Sequence, residues 1–525
     1  MEKRPFRLLV LLAGLVLLIG LVGALSPVTS TAGAQDRSDL GADLDAILAN
    51  PALAGADVGL VVKTLDGDTV YQRSSDRRQQ PASNAKLATS AAALEVLGAD
   101  HRFSTTVASP ARRHGHTLDG DLYLKGTGDP TMLAADYDAL AAQVADSGVT
   151  SVRGKLVADD TWFDTTRLGL GWAWDDEPYY YNAQISALTA APDSDFDAGS
   201  IIIRVEPGAN GKAKVTTDPP TDYVTIRSTA TTGAAGSDDT ISVDRQHGSN
   251  VFTVTGSIPA GGSADSEFMA VWEPTGYAAA LFRAALRHHG VRVGGPTTRG
   301  ATPAGATEYA ARQSMPLREL LTPFLKLSNN MHAEILTKTM GRATAGEGSW
   351  DAGEAAIAAV LPTLGVSGRL SLVDGSGLSR MDQIAPDQLA ALLGGAATRP
   401  WFDVWFTALP IAGEANRLVG GTLRNRMRNT PAQGHVHAKT GSLTGVSGLS
   451  GYVDTAGGDR LVFSMVTNNS IGVDPKSVED AVAIRLAAEG GPQAAQQPRV
   501  AKVEPGARQG ANYRTDLECS WVKAC

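Results

Sequence analysis

Cysteine is almost missing: the 525 residues contain two, Cys519 and Cys525, both within the last seven positions. The body of the fold therefore has no disulfide framework and no cysteine chemistry, although a small terminal loop disulfide suits an oxidising compartment. A basic excess is missing too. With 46 Lys+Arg against 55 Asp+Glu and a net charge of -9, the chain lacks the basic face of a nucleic-acid binder. Aromatics are only 6% while glycine numbers 57, so the interior is rich in alanine and glycine and the chain turns often. No G-x-y period or internal repeat runs through it, and an apolar fraction of 43% excludes a disordered chain. Neither G-x-S-x-G nor H-E-x-x-H occurs, which removes the conventional Ser-His-Asp elbow and the zinc-peptidase helix.

At the N-terminus Lys3, Arg4 and Arg7 precede an uncharged apolar run, Leu8 to Leu25, and small residues follow, ending in Ala32-Gly33-Ala34. This pattern predicts a secretory signal peptide over 1–34. An uncleaved N-terminal anchor is the alternative, because the run is only at the lower edge of what spans a ~30 Å hydrocarbon core. Either way the body is exported, secreted or cell-wall associated, and no later segment approaches transmembrane length. At ~100 to 200 residues per domain, the length predicts roughly two to four domains.

Along the chain, a helical stretch near Leu44 to Ala49 precedes a buried strand, Val58-Gly-Leu-Val-Val, and Asp66-Gly67 marks the hairpin turn into Thr69-Val70-Tyr71. The alanine- and leucine-rich run from Ser83 to Leu97 reads as a helix stopped by Gly98. From about 102 to 300, short strands alternate with Gly, Pro, Asp and Thr clusters, as in Leu122-Tyr-Leu-Lys, Ser200-Ile-Ile-Ile-Arg-Val and Val251-Phe-Thr-Val, with one helix at Ala278 to His289. After about 302 helices dominate. Three sequential antiparallel strands then follow, at His435 to Lys439, Gly448 to Val453 and Leu461 to Val466, and 494–525 reads as a disordered tail.

Ser83-Asn84-Ala85-Lys86 places a hydroxyl and an amine three residues apart on one helix face, which suits a serine nucleophile with a lysine base. A lysine with a pKa near 10.4 costs roughly 4.6 kcal/mol to hold neutral at pH 7, so burial or a second cation must assist. S-x-x-K alone is expected by chance, and Ser520-Trp-Val-Lys523 is such a match, with no helix behind it and nothing downstream. Ser83 stands apart because Ser328-Asn329-Asn330 and Lys439-Thr440-Gly441 follow in order, each pattern occurring once. S-x-N opens a helix that continues Met331-His-Ala-Glu-Ile-Leu, and K-T-G ends a strand before Ser442. The set S-x-x-K, S-D-N, K-T-G belongs to β-lactamases and penicillin-binding proteins; here Asn329 replaces the aspartate.

The sequence resembles the low-molecular-mass class C penicillin-binding proteins, D-alanyl-D-alanine carboxypeptidases that can also act as endopeptidases. The resemblance extends to Leu124-Lys-Gly-Thr-Gly-Asp-Pro130, Gly171-Trp-Ala-Trp174, Asp374-Gly-Ser-Gly-Leu-Ser-Arg380, Gly421-Thr-Leu-Arg-Asn-Arg-Met427 and His437-Ala-Lys-Thr-Gly441. About 240 residues separate the first two elements, an insertion that marks this class.

The resemblance implies an α/β penicillin-binding/β-lactamase-like transpeptidase fold, an antiparallel sheet with a helical cluster, carrying two nested β-rich inserted domains. The expected division is a catalytic domain at 35–101 and 302–493, one insert at 102–126 and 196–301, and a second at 127–195. It implies Ser83 as the acylated nucleophile, Lys86 as base, Ser328 as proton relay, and Asn330 as the group that binds a substrate amide and orients Lys86. Lys439 would supply positive potential, Thr440 and Ser442 would hold the terminal carboxylate beside Gly441, and the Ser83 and Ser442 N–H groups would form the oxyanion hole. Arg380 is expected near the pocket, against the alternative of a structural salt bridge, and Asp175 and Asp176 would meet a free amine of the stem peptide, against a solvated loop. Peptidoglycan stem peptides and β-lactam antibiotics are the implied partners, with no metal or organic cofactor and no identifiable protein partner.

A β-lactamase is the nearest rival, but the E-x-x-L-N of class A enzymes is matched by none of Glu334, Glu347, Glu354 or Glu414. A non-catalytic peptidoglycan or β-lactam sensor is disfavoured by the intact nucleophile and base. His435 and His437 could share a strand face as metal ligands, yet with no third ligand specified they read as structural. Asp193-Ser-Asp-Phe-Asp197 mimics a calcium loop but has Ala198 at the turn glycine and Arg204 at the bidentate glutamate.

Overall fold

The computed structural model describes residues 31–472 and 474–491, with side chains from Leu40 onward. The expected signal segment up to residue 30, the tail at 494–525, Cys519, Cys525 and the Ser520–Lys523 match lie outside the described residues. No helix among the described residues is long and apolar enough to cross a membrane.

The sheet that carries the site has five antiparallel strands in the order Thr69–Arg73, Asp57–Thr64, Arg460–Asn468, Val446–Asp454, Val436–Leu443. Strands alternate their side chains between faces, and both faces here are covered. Leu60, Val62, Leu449, Phe463 and Met465 pack against Leu44, Ile47, Val482 and Leu486, from helices Thr31–Leu48 and Lys476–Ala487. Val61, Val462, Val466 and Tyr452 face the other way, onto Leu87, Ala91, Leu389, Leu393 and Trp405. A sheet covered on both sides reads as an unbroken apolar run, which is why Leu60-Val61-Val62 shows no alternation.

The helix predicted from Ser83 begins with a 3₁₀ turn, Ala82–Asn84, before α-helix Ala85–Val96, and Gly98 takes a φ of +82° just beyond it. Its alanines let neighbours approach closely, so Ala85 through Leu94 are all buried. K-T-G does not end its strand as expected. The strand runs on to Leu443, because Gly441 sits inside the ladder opposite Gly448 and a Cβ at either would meet the Asn84 side chain.

Strands Ser104–Ser109, Leu122–Gly126, Leu156–Asp159, Thr297–Arg299 and Thr307–Gln313 form one sheet, so Thr307–Gln313, expected in the second catalytic stretch, pairs instead with Ser104–Ser109 of the insert. The sheet also crosses the expected 126/127 boundary: Leu122 to Lys125 run parallel to Leu156 to Asp159. Strands from Ser200–Glu206 to Asp265–Ala270 pair among themselves. Turn chemistry reveals strands in a sequence, whereas long-range parallel pairing leaves no local mark.

Candidate active site

Ser83 sits in the tight turn that feeds the nucleophile helix, and Lys86 lies in the first turn of that helix. Ala82 takes a φ of +47°, a left-handed conformation costly for a residue with a Cβ. Neighbours over-determine it: Gly377 presses on this turn so closely that a Cβ there would lie 1.9 Å from the Ala82 carbonyl oxygen. Both Ser83 and Lys86 are buried, and Lys86 Nζ lies 2.8 Å from Ser83 Oγ. The amine also donates to Asn330 Oδ1 at 2.7 Å and to the Ser376 carbonyl at 2.7 Å. The Ser83 hydroxyl, the Asn330 amide oxygen and the Ser376 carbonyl thus all lie within hydrogen-bond distance of this one nitrogen. Asn330 is held in turn, its Nδ2 donating to the Tyr181 carbonyl at 2.8 Å.

Ser328 takes a φ of +58°, a second left-handed residue at the site. Its Oγ accepts from Lys439 Nζ at 2.7 Å, and the same ammonium group donates to the Thr440 carbonyl at 2.8 Å. Lys439 is buried on the edge strand, beside Thr440, whose hydroxyl donates to Thr422 Oγ1 at 2.8 Å. Ser442 is also buried, and its Oγ has no hydrogen-bond partner among the described residues, which leaves it available to a ligand. Residues of one parity in a strand point their backbone groups to the same side. Val436 and Ala438 bond outward to Ala412 and Pro410, so Thr440 and Ser442 present their N–H groups on the same outer edge. A Cβ at Gly441 would lie 3.1 Å from Ser83 N, so the two expected oxyanion donors belong to adjoining backbone.

Arg380, Asp175 and Asp176 gather at one rim. Arg380 Nη1 donates to the Thr444 carbonyl at 2.9 Å, bracing the tip of the hairpin after Ser442. Burial lowers the pKa of its guanidinium, while Asp176 and Asp175 oppose that effect. Asp176 accepts from Tyr181 Oη at 2.9 Å and is pushed upward by burial, and Asp175 is exposed. His437 stacks its ring on Phe406 at 4.1 Å.

Several participants were not legible in the sequence. Ser376 and Tyr181 act through backbone carbonyls, which no residue type advertises. Thr422 falls within the segment 421–427 without a motif of its own.

The structure also explains why asparagine stands at 329. Its Oδ1 caps the following helix by accepting from His332 N at 3.1 Å, while Nδ2 donates to Asp197 Oδ1 at 2.9 Å and the Phe196 carbonyl at 3.2 Å. The loop 193–197 is thus docked on the site, further tied by Asp195 to Arg417. An Asn329→Asp variant would set a carboxylate against these acceptors. It is expected to lose about 1 to 3 kcal/mol of stability in urea unfolding, and an unchanged midpoint would contradict this account.

Buried His332 donates its Nε2–H to the Phe196 carbonyl at 2.8 Å, and burial pushes the imidazole down to about 4. The unfolded chain protonates this group near ~6.5 while the folded chain does not, so its contribution is present above that pH and lost as pH falls toward 4. Relative to His332→Gln, the wild type should lose roughly 3 kcal/mol between those limits. A pH-independent difference in unfolding free energy would refute it.

Comparison with known proteins follows from this geometry. Residues 40–489 match the D-Ala-D-Ala carboxypeptidase 3 (S13) family. The chain is 47% identical over 511 residues to the D-alanyl-D-alanine carboxypeptidase of Actinomadura sp. (strain R39), covering 96% of this chain and 94% of that protein. It is 27% identical over 422 residues to D-alanyl-D-alanine carboxypeptidase DacB of Haemophilus influenzae, covering 79% and 86%. The crystal structure of penicillin-binding protein 4 from Haemophilus influenzae superposes with a TM-score of 0.71 at 25% identity, covering 85% of this chain and 97% of that one. A buried Ser-x-x-Lys pair, a serine held by a second lysine and an open strand edge thus occur on the penicillin-binding fold, and the chain belongs to the D-Ala-D-Ala carboxypeptidase (S13) family of serine peptidases.

Proposed function

We propose that this protein removes the terminal D-alanine from peptidoglycan stem peptides through a Ser83 acyl-enzyme, and that the same acyl transfer opens D-alanyl cross-links. The observation that carries this reading is the 2.8 Å contact between Lys86 Nζ and Ser83 Oγ in a buried site. Neutral Lys86 takes the hydroxyl proton as Ser83 Oγ attacks the carbonyl carbon of the penultimate D-alanine. The Ser83 and Ser442 N–H groups receive the developing oxyanion. The Ser328 hydroxyl, hydrogen-bonded to Lys439, relays that proton from Lys86 to the departing amine, the carbon–nitrogen bond breaks, D-alanine leaves and Lys86 is neutral again. Water then attacks the ester, giving its proton to Lys86, and Ser83 is regenerated. The Thr440 and Ser442 hydroxyls, beside Lys439, hold the terminal carboxylate, with Arg380, Asp175 and Asp176 contacting the stem. A β-lactam offers a similar carbonyl and carboxylate in a strained ring, so it acylates Ser83 as a covalent inhibitor.

Action on peptidoglycan is extracytoplasmic, and cleavage after Ala34 would release the protein from its export segment. The catalytic unit is split around the inserted residues, a reading supported by the pairing of Asp57–Thr64 with Arg460–Asn468, and its second stretch begins after Gln313, since Thr307–Gln313 pairs with Ser104–Ser109. The test is D-alanine release from a diacyl-tripeptide ending in D-Ala-D-Ala, before and after treatment with benzylpenicillin. Release that stops on stoichiometric acylation is the expected result. Acylation without any release would reduce the protein to a sensor, and destruction of penicillin without a lasting adduct would make it a β-lactamase.

A further inference from the structure

Ser376 gives the catalytic amine only a backbone carbonyl, so the precision of that contact depends on whatever fixes the loop. Glu334 Oε1 accepts the Ser376 N–H at 2.8 Å, and Oε2 accepts the Gly375 N–H at 3.0 Å and Trp350 Nε1–H at 2.7 Å. Asp374 holds the same loop from within. Its Oδ1 accepts from Ser376 N at 3.1 Å and Gly377 N at 2.7 Å, and its Oδ2 from Ser379 N at 2.7 Å and Trp172 Nε1 at 2.9 Å. Both carboxyl groups are completely buried.

Glu334 lies one helical turn beyond Asn330, on the same face of helix Asn330–Ala345. One helix face therefore reaches Lys86 twice, directly through Asn330 and indirectly through Glu334 and the Ser376 carbonyl. The glycines allow the loop to be pressed home: a Cβ at Gly375 would lie 2.1 Å from Thr337 Oγ1. From the nucleophile helix, Thr89 Oγ1 donates to the Gly375 carbonyl at 2.7 Å.

Such a concentration of buried acid is costly. Burial and Asp374 push Glu334 up to about 7, and burial and Asp374 push Asp382 well above the carboxylate range.

We propose that Glu334 and Asp374 are positioning residues for acylation: they clamp the backbone at 375–377 so that the Ser376 carbonyl takes one N–H of Lys86 and the amine's lone pair is turned onto Ser83 Oγ. The proposal rests on Lys86 being the base. Glu334→Gln is informative because a carboxamide turns an N–H against one of the N–H donors it must accept.

Acylation by benzylpenicillin would be followed by stopped flow across a pH range wide enough to reach the plateau, separating the non-covalent constant K from the acylation rate constant k2. The plateau k2 of Glu334→Gln is expected to fall about 100-fold with K unchanged, as for a small misplacement of reacting groups, while the thermal midpoint falls only by what the mismatched N–H groups cost. Asp374→Asn should change in the same direction. An unchanged k2 in folded Glu334→Gln overturns the proposal, as does a joint loss of k2, K and thermal stability. If Glu334→Gln does not fold, Trp350→Phe removes one donor to the clamp without touching Ser376: a severalfold fall in k2 supports the proposal and no change overturns it. Lys86→Ala is the separate control. Wild-type acylation in that variant would mean that the base assignment, rather than the clamp, is wrong.

Discussion

Incubated with benzylpenicillin, a Ser83→Ala variant is expected to keep its own mass, while the wild type should gain one covalently held penicillin. The variant's release of D-alanine falls by about 10⁴-fold or more, since removing a nucleophile abolishes the covalent route and leaves only binding and oxyanion stabilisation. The expectation is this large because the proton acceptor and the oxyanion donors are all arranged around one oxygen atom. Lys86 Nζ lies 2.8 Å from it, and the Gly441 backbone, whose strand supplies Ser442 N–H, abuts Ser83 N. Fold is not at stake: Ser83 Oγ is hydrogen-bonded to Lys86 within a turn held by backbone contacts, so unfolding should change little. An adduct that persists in Ser83→Ala would place the chemistry on another residue and sink the assignment.

The second large effect is at Lys439. Its Nζ hydrogen-bonds Ser328 Oγ and the Thr440 carbonyl from a fully buried position. Lys439→Gln keeps much of the volume but removes the charge that, we propose, attracts the terminal carboxylate and supports a Ser328 relay. A loss of about 10³-fold in kcat/KM for the D-Ala-D-Ala substrate is expected, on the order of 4 kcal/mol of transition-state stabilisation. Lys439→Arg should not restore activity, because a planar guanidinium cannot replace a compact ammonium in a space with no exposed surface. Steady-state D-alanine release measures both variants. Activity of Lys439→Gln within about tenfold of wild type would remove Lys439 from the mechanism.

How much of this was legible depended on whether a group acts through its side chain. The residues Ser83, Lys86, Ser328, Asn330 and Lys439 come together because each belongs to a short motif whose spacing survives translation into a helix start or a strand. The hairpin at Asp66-Gly67 and the three final strands were legible for the same local reason. Ser376 and Tyr181 were not, since a carbonyl oxygen is common to every residue and its direction is decided by distant packing. In the sequence Glu334 reads only as a residue that fails the class A deacylation pattern; its partners, the N–H groups of Gly375 and Ser376, come from a loop about 40 residues away. The K-T-G strand extends further than its sequence suggests, because glycine ordinarily weakens a strand. At 441 and 448 the missing Cβ instead makes room for Asn84.

The outer edge of strand Val436–Leu443 has a further meaning for the life of the protein at high local concentration. An edge strand invites a second chain to continue the sheet, and a sheet this apolar would propagate easily. Here the first half of the edge is sealed by Pro410 to Ala412, through bonds at Val436 and Ala438. What stays open is the short stretch from Thr440 to Ser442, sunk beside Ser83 and too brief to register another copy of the strand. The Thr440 and Ser442 N–H groups are enough to grip a peptide end, and too few and too deeply set to template a fibre. Catalytic access and resistance to self-association are thereby settled by the same few residues, and lengthening the open stretch, for instance by deleting 410–412, should trade solubility for exposure.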